Sequence, residues 1–183
     1  MKKSWIILFC ISLPLLIILF SYKITLFFTP LEVNQQQTIN YLEGGELQLN
    51  YTSAEVSHLK DVKGVIRLGD YLFYFSLLMV TLIITYHKKK KEEIKKLLFY
   101  GGISTVSFLL LMLIISIFNF DFVFAYFHKI FFPQGNWQFA TESLLIQTFP
   151  REFFVEFSRM MFRISIILGG ILLIFGKRYK RRK

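Results

Sequence analysis

The chain has 183 residues, 54% of them hydrophobic and 18% aromatic, with 22 phenylalanines and a mean hydropathy of +0.50. A water-soluble domain of this length has too little dry volume for so much apolar surface, so a soluble enzyme or a DNA-binding domain is excluded. The net charge of +10 would suit nucleic acid on one basic face, but it is distributed in another way. Four apolar stretches, 5–28, 69–86, 97–120 and 157–175, each approach or exceed the roughly 20 residues that cross a hydrocarbon core of about 30 Å. The sequence predicts an all-α membrane protein. Four transmembrane helices are joined by two extracytoplasmic loops, 29–68 and 121–156, that carry short helices, all in a single domain over 1–183.

The basic residues set the topology. Lys2 and Lys3 precede the first span, six lysines fill the connection around 88–96, and six more basic residues follow the last span. Basic flanks stay inside, so both termini and the middle turn are placed in the cytoplasm and the two long loops outside. The same charges attract anionic inner-leaflet lipid, and no nucleic-acid partner is expected. The start, Met1-Lys2-Lys3 before an apolar run, resembles a signal peptide. The run is too long for one and no small-x-small site follows, so an uncleaved first helix is predicted.

Cys10 is the one cysteine; it offers neither a disulfide nor a cysteine metal cluster and reads as a buried, apolar-like residue. Lys23, near the outer end of this helix, is expected to snorkel. The first outer loop opens on the helix-ending pair Thr29-Pro30, runs through a polar stretch at 34–38, and turns at Gly44-Gly45. Thr52-Ser53-Ala54-Glu55 has the T-x-x-E form of a capping box. The helix it starts carries Val56, Leu59, Ile66 and Gly69 towards the second span. On it His58 and Asp61, three apart, share a face, with Asp61 able to orient the imidazole. A solvated helix surface with an incidental pair fits the spacing equally.

His87 sits against the basic inner turn. The second outer loop is dense in Phe, Tyr and Trp, as suits an interfacial belt, yet it also holds His128. Pro133 and Gly135 fit a tight turn, from which Gln134, Asn136 and the Trp137 indole can aim donors at one spot. The last helix is expected to begin at Pro150. Glu152, Glu156, Arg159 and Arg163 follow down its outer half. Local pairing of Glu156 with Arg159 explains them most simply; arginines holding a substrate carbonyl or polar head come second.

Two imidazoles on one side of the membrane make a plausible acid–base pair beside lipid. The nucleophile for covalent catalysis is missing. Cys10 lies at the wrong end, and no G-x-S-x-G elbow exists. Ser57 is adjacent to His58, so on a helix the two point about 100° apart. Zinc on His58, Asp61 and His128 is conceivable in spacing, but H-E-x-x-H and a fourth ligand are lacking, so no metal and no cofactor are expected. A non-catalytic lipid- or peptide-binding membrane protein and a membrane lipid hydrolase stay open, whereas the lack of inverted repeats disfavours a transporter.

The segments Ser57-His58-Leu59-Lys60-Asp61-Val62-Lys63, Phe127-His128 through Trp137-Gln138-Phe139, and Leu145-Ile146-Gln147-Thr148-Phe149-Pro150 resemble the signatures of one family. It is the lipoprotein intramolecular transacylase family, Lit, of low-GC Gram-positive bacteria. The resemblance implies an acyl shift within one lipoprotein carrying diacylglycerol on its N-terminal cysteine. The sn-2 acyl chain passes to that cysteine's α-amino group and leaves a lyso-form lipoprotein. The reading of the residues suits this: His58 and His128 can serve as the acid and base, in an order the sequence leaves open. Gln134, Asn136 or Trp137 would stabilise the oxyanion, with Asp61, Arg159 and Arg163 orienting or binding. A monomer in the cell membrane, its active site facing the outer leaflet, is expected.

The orientation has a direct test. In a Cys10→Ser background, Glu46→Cys and Glu142→Cys should react with an impermeant thiol reagent on wall-stripped cells, and Glu93→Cys only after lysis. Labelling of the Glu93 position in intact cells would invert the topology.

Overall fold

The computed structural model describes residues 2–177, so the basic residues expected to anchor the end of the chain beyond Lys177 lie outside the described residues. Among the described residues there are seven helices: α1 (Lys3–Phe28), α2 (Val33–Leu42), α3 (Ser53–His87), α4 (Lys91–Phe118), α5 (Phe120–Phe131), α6 (Leu144–Thr148) and α7 (Arg151–Lys177). Four of them, α1, α3, α4 and α7, are long and apolar enough to cross a membrane. The other three belong to the connections predicted to lie outside.

Two boundaries differ from expectation. The capping-box helix and the second span are one continuous 35-residue helix: no proline lies between Ser53 and His87, and the helix absorbs the single glycines Gly64 and Gly69. The third apolar stretch is interrupted at Asn119, whose side chain accepts from the Phe122 backbone N–H at 2.9 Å and caps α5. An Asn at this position satisfies a backbone donor that the helix itself leaves free.

The bundle is centred on α1, which packs against α3, α4 and α7, while α4 and α7 form the most extensive pair. Close approach there depends on small residues. A Cβ on Gly102 would sit 2.8 Å from the Leu173 backbone nitrogen, and one on Gly176 would press into the backbone of Phe99. Within lipid there is no water to serve backbone groups, so each must find a partner in the protein. Pro14, inside α1, lacks the N–H that would reach the Cys10 carbonyl oxygen. The Ser104 hydroxyl of α4 donates to that oxygen at 3.1 Å instead. Cys10 is half-buried.

Lys23 does not simply snorkel: its ammonium pairs with Asp70 of α3 and ties the two helices together. His87 is likewise more than a neighbour of the lysine turn. It is 2% exposed, donates from Nδ1 to the Ile83 carbonyl oxygen at 2.9 Å, and places Nε2 3.3 Å from Glu93.

Above the bundle, α2, the start of α3, and α6 form a cap over a second hydrophobic cluster of Leu42, Tyr51, Leu59, Leu145 and Phe149. Buried hydrogen bonds lock it. Gln35 Nε2 donates to the Thr148 carbonyl oxygen at 2.9 Å, and the Thr38 and Tyr51 hydroxyls bond at 2.7 Å. Lys63 Nζ donates to the Tyr41 carbonyl oxygen at 2.7 Å and lies 4.4 Å from that residue's ring centroid.

Candidate active site

The capping box at the start of α3 forms as the sequence predicts, with Glu55 accepting from the Thr52 backbone N–H at 2.7 Å and from its hydroxyl at 2.8 Å. Its second oxygen does something the local pattern does not announce: it accepts the Leu145 N–H at the start of α6, at 2.8 Å. Burial would raise this carboxyl's pKa, but these three donors outweigh it and hold the group below the usual range. Glu55 thus fixes the first turns of α3 to the far end of the second loop, one turn before His58.

The other half of the site comes from α5 and the turn after it. His128 donates from Nδ1 to the Phe124 carbonyl oxygen, one turn back in α5, at 2.7 Å. A carbonyl only accepts, so the Nδ1–H tautomer is fixed and Nε2 carries the lone pair. After α5 the chain turns at Pro133, with the Gly135 N–H reaching the Phe132 carbonyl oxygen at 3.0 Å and Gly135 at φ +79°. That left-handed conformation favours glycine. The turn swings Gln134, Asn136 and Trp137 back towards α3.

The two histidines meet there. Their ring centroids are 6.1 Å apart with planes inclined by only 24°. His58 packs on Phe132 at 4.7 Å and on Phe139 at 5.7 Å. His128 lies against Phe124 at 4.1 Å and Trp137 at 4.9 Å. Both are buried, at 7% and 9% exposure. Burial pushes the His58 imidazole down to about 4, His128 pushes it the same way, and the Asp61 carboxylate pulls against both. Burial lowers His128 as well, against the opposing effect of its bond to Phe124. Two neutral imidazoles therefore share an aromatic wall at neutral pH.

Asp61 is not bonded to His58. Its Oδ2 accepts from the Gln134 amide at 2.7 Å and from the Asn136 amide at 2.6 Å, so it clasps the turn to α3 and acts on the imidazole only through its charge. One N–H of each amide expected at an oxyanion is thereby taken. Asn136 also reaches the Ser57 hydroxyl at 3.4 Å, while its own Oδ1 and the Nδ1 of His58 are buried without a partner among the described residues.

The structure gathers six of the residues the sequence singled out: His58, Asp61, His128, Gln134, Asn136 and Trp137. Arg159 and Arg163 stay outside this hydrogen-bonded group. Both are exposed on α7, and Arg159 pairs with Glu156. Sequence reasoning gave no site role to Phe124, Phe132 and Phe139, which shape the histidine environment. Among the described residues, no group of three His, Cys, Asp or Glu side chains is placed to hold a metal ion.

A polytopic, all-helical protein with four candidate membrane spans and an aromatic cap around two neutral histidines is thus defined. The chain belongs to the family described as lipoprotein intramolecular transacylase Lit, which it matches over residues 29–154. It superposes on the solved membrane-integral lipoprotein intramolecular transacylase Lit from Bacillus cereus with a TM-score of 0.84 and 22% identity. The match covers 99% of this chain and 98% of that one. A histidine-to-alanine variant of that protein gives a TM-score of 0.78 at 21% identity, covering 99% and 96%. A protein of Aquifex aeolicus described only as uncharacterized is 26% identical over 139 residues, which are 73% of this chain and 61% of that one. The chain therefore spans about 61% of the length of that curated relative.

Histidine-selective 15N NMR in detergent tests the electrostatics. His58 should stay neutral down to about pH 4. His128→Asn should raise its midpoint but leave it below the ordinary 6.5, because burial is the larger cause, and Asp61→Asn should lower it further. A wild-type midpoint at or above 6.5 would contradict the buried neutral pair.

Proposed function

We propose that this chain moves the sn-2 acyl chain of a diacylglyceryl-cysteine lipoprotein to the α-amino group of the same cysteine, giving the lyso form. The observation that carries the reading is the histidine pair: two buried neutral rings 6.1 Å apart, with His128 Nε2 left as a free lone pair by the Phe124 bond. Family membership supports it, and so does the chemistry. Donor ester and acceptor amine sit on one substrate molecule, so alignment replaces much of the covalent machinery.

In the step, the amine nitrogen attacks the sn-2 ester carbonyl carbon. The N–C bond forms, the ester C–O bond breaks, and a proton from nitrogen ends on the glyceryl oxygen; no water is consumed. His128 Nε2 takes the proton and returns it to the leaving oxygen. Neutral His58 donates its N–H to the carbonyl oxygen as negative charge develops there, which is the use of an imidazole whose pKa is pushed low. The Trp137 indole N–H, hydrogen-bonded to no described residue, supplies a second donor. The rings of Phe124, Phe132 and Phe139 exclude the water that would hydrolyse the ester. No acyl-enzyme is formed. Ser57 is engaged with Asn136, and Cys10 lies in the first half of α1, where its backbone serves Ser104.

The site faces outward in this reading, because the lysine-rich ends and middle turn remain on the cytoplasmic side. Arg159 and Arg163, exposed on α7, suit contact with the polar boundary of the lipid rather than the acyl shift.

The test is conversion of a synthetic diacylated lipopeptide with a free amine. The product should keep the substrate mass while its fragments show one chain moved to nitrogen. His58→Asn and His128→Asn should each reduce turnover by about 10²-fold or more, and the double variant should be little worse than either. Release of free fatty acid would favour a hydrolase, and full activity in both variants would favour a binding protein.

A further inference from the structure

The amide donors that surround Asp61 leave the polar rim of the site with acceptors. Asp61 uses only Oδ2 for Gln134 and Asn136; its Oδ1 accepts no hydrogen bond from a described residue. No lysine or arginine among the described residues pairs with it: Lys60 is exposed, and Lys63 is turned to the Tyr41 carbonyl oxygen. The Asn136 Oδ1, held beside the same carboxylate, is buried with no partner among the described residues. His128 adds the Nε2 lone pair, and His58 carries no charge at neutral pH. A carboxylate fixed by two amides, without a cation of its own, beside a buried unpaired amide oxygen, is arranged to receive a cationic group with several N–H donors.

We infer that Asp61 Oδ1 and Asn136 Oδ1 bind the α-ammonium group of the lipoprotein's N-terminal cysteine; this rests on the transacylase reading and specifies how its nucleophile is held. The carboxylate selects the free N-terminus over a blocked one and brings the nitrogen to the histidine pair. An α-amino group, which ordinarily titrates near pH ~8, arrives mainly as the ammonium at neutral pH. It must lose one proton to solvent to become a nucleophile, and His128 Nε2 takes the next as the N–C bond forms. A second proton moves to the glyceryl oxygen during the transfer, so converting an ammonium to an amide releases one proton to solvent per turnover. Asp61 is a substrate-binding residue in this account, and Gln134 is a positioning residue that fixes the carboxylate.

The test measures binding without chemistry. Three lipopeptide analogues with both esters replaced by ethers carry, at the N-terminus, a free amine, an N-methyl amine or an N-acetyl group. The first two keep the positive charge and the third removes it at similar bulk. Wild-type protein at pH 7 should bind both cationic analogues about 10-fold or more tightly than the acetylated one, the scale of one charge-assisted hydrogen bond. Asp61→Asn should bring all three within about 3-fold, by weakening the cationic pair and not by strengthening the acetylated one. Equal binding of the three by wild type, or an undiminished preference in Asp61→Asn, would overturn the inference. If that variant does not fold, the wild-type comparison decides alone. A chain that prefers the amine yet transfers no acyl group would sink the transacylase reading and leave the ammonium site standing. One that transfers without preference would do the reverse.

Discussion

Everything in the candidate site depends on the contact between the Asp61 carboxylate and the amides of Gln134 and Asn136. His58 belongs to the connection between the first two spans and His128 to that between the last two, so neither helix alone brings the two imidazoles together. The clasp at Asp61 pins the turn after α5 onto α3, and Glu55 pins the start of α6 to the same helix nearer its start. Between these two carboxylates the rings of Phe132, Phe139 and Trp137 close around the imidazoles. Burial then follows, and burial is what keeps both histidines neutral.

The membrane shapes the rest. Helices that cross lipid must settle their backbone polarity internally, and the chain meets that demand with small adjustments, such as the Ser104 hydroxyl that replaces the donor Pro14 lacks. Glycines at 102 and 176 let α4 and α7 approach at backbone distance, and Lys23–Asp70 joins α1 to α3 towards the cap. The bundle is thus a closely packed base beneath the cap.

Much of this was legible in the sequence, for identifiable reasons. Spans show because their apolar runs are long. The capping box at Thr52 and the turn at Pro133-Gly135 show because each needs particular side chains at fixed spacing. His58 and His128 stand out as the histidines away from the lysine turn. What the sequence hid was partnership across the chain. Asp61 is spaced to orient His58, but its carboxylate turns to amides from the other loop. Lys23 is spaced to snorkel, but finds Asp70. The second bond of Glu55, and the Phe124 carbonyl that sets the His128 tautomer, depend on tertiary packing and on a helix, α5, whose start at Asn119 the continuous apolar run conceals.

The central claim is that acyl transfer occurs within one substrate molecule, with the histidine pair moving protons and no acyl group ever resting on the protein. A crossover experiment addresses it directly. A lipopeptide carrying deuterated acyl chains and one peptide sequence is mixed with an undeuterated lipopeptide of a second sequence, and both are converted by the purified protein. The account predicts two product families only, each N-acylated with a chain from its own glyceryl group. Products bearing a deuterated N-acyl chain on the second peptide would show that the acyl group leaves its parent molecule, and would contradict the account.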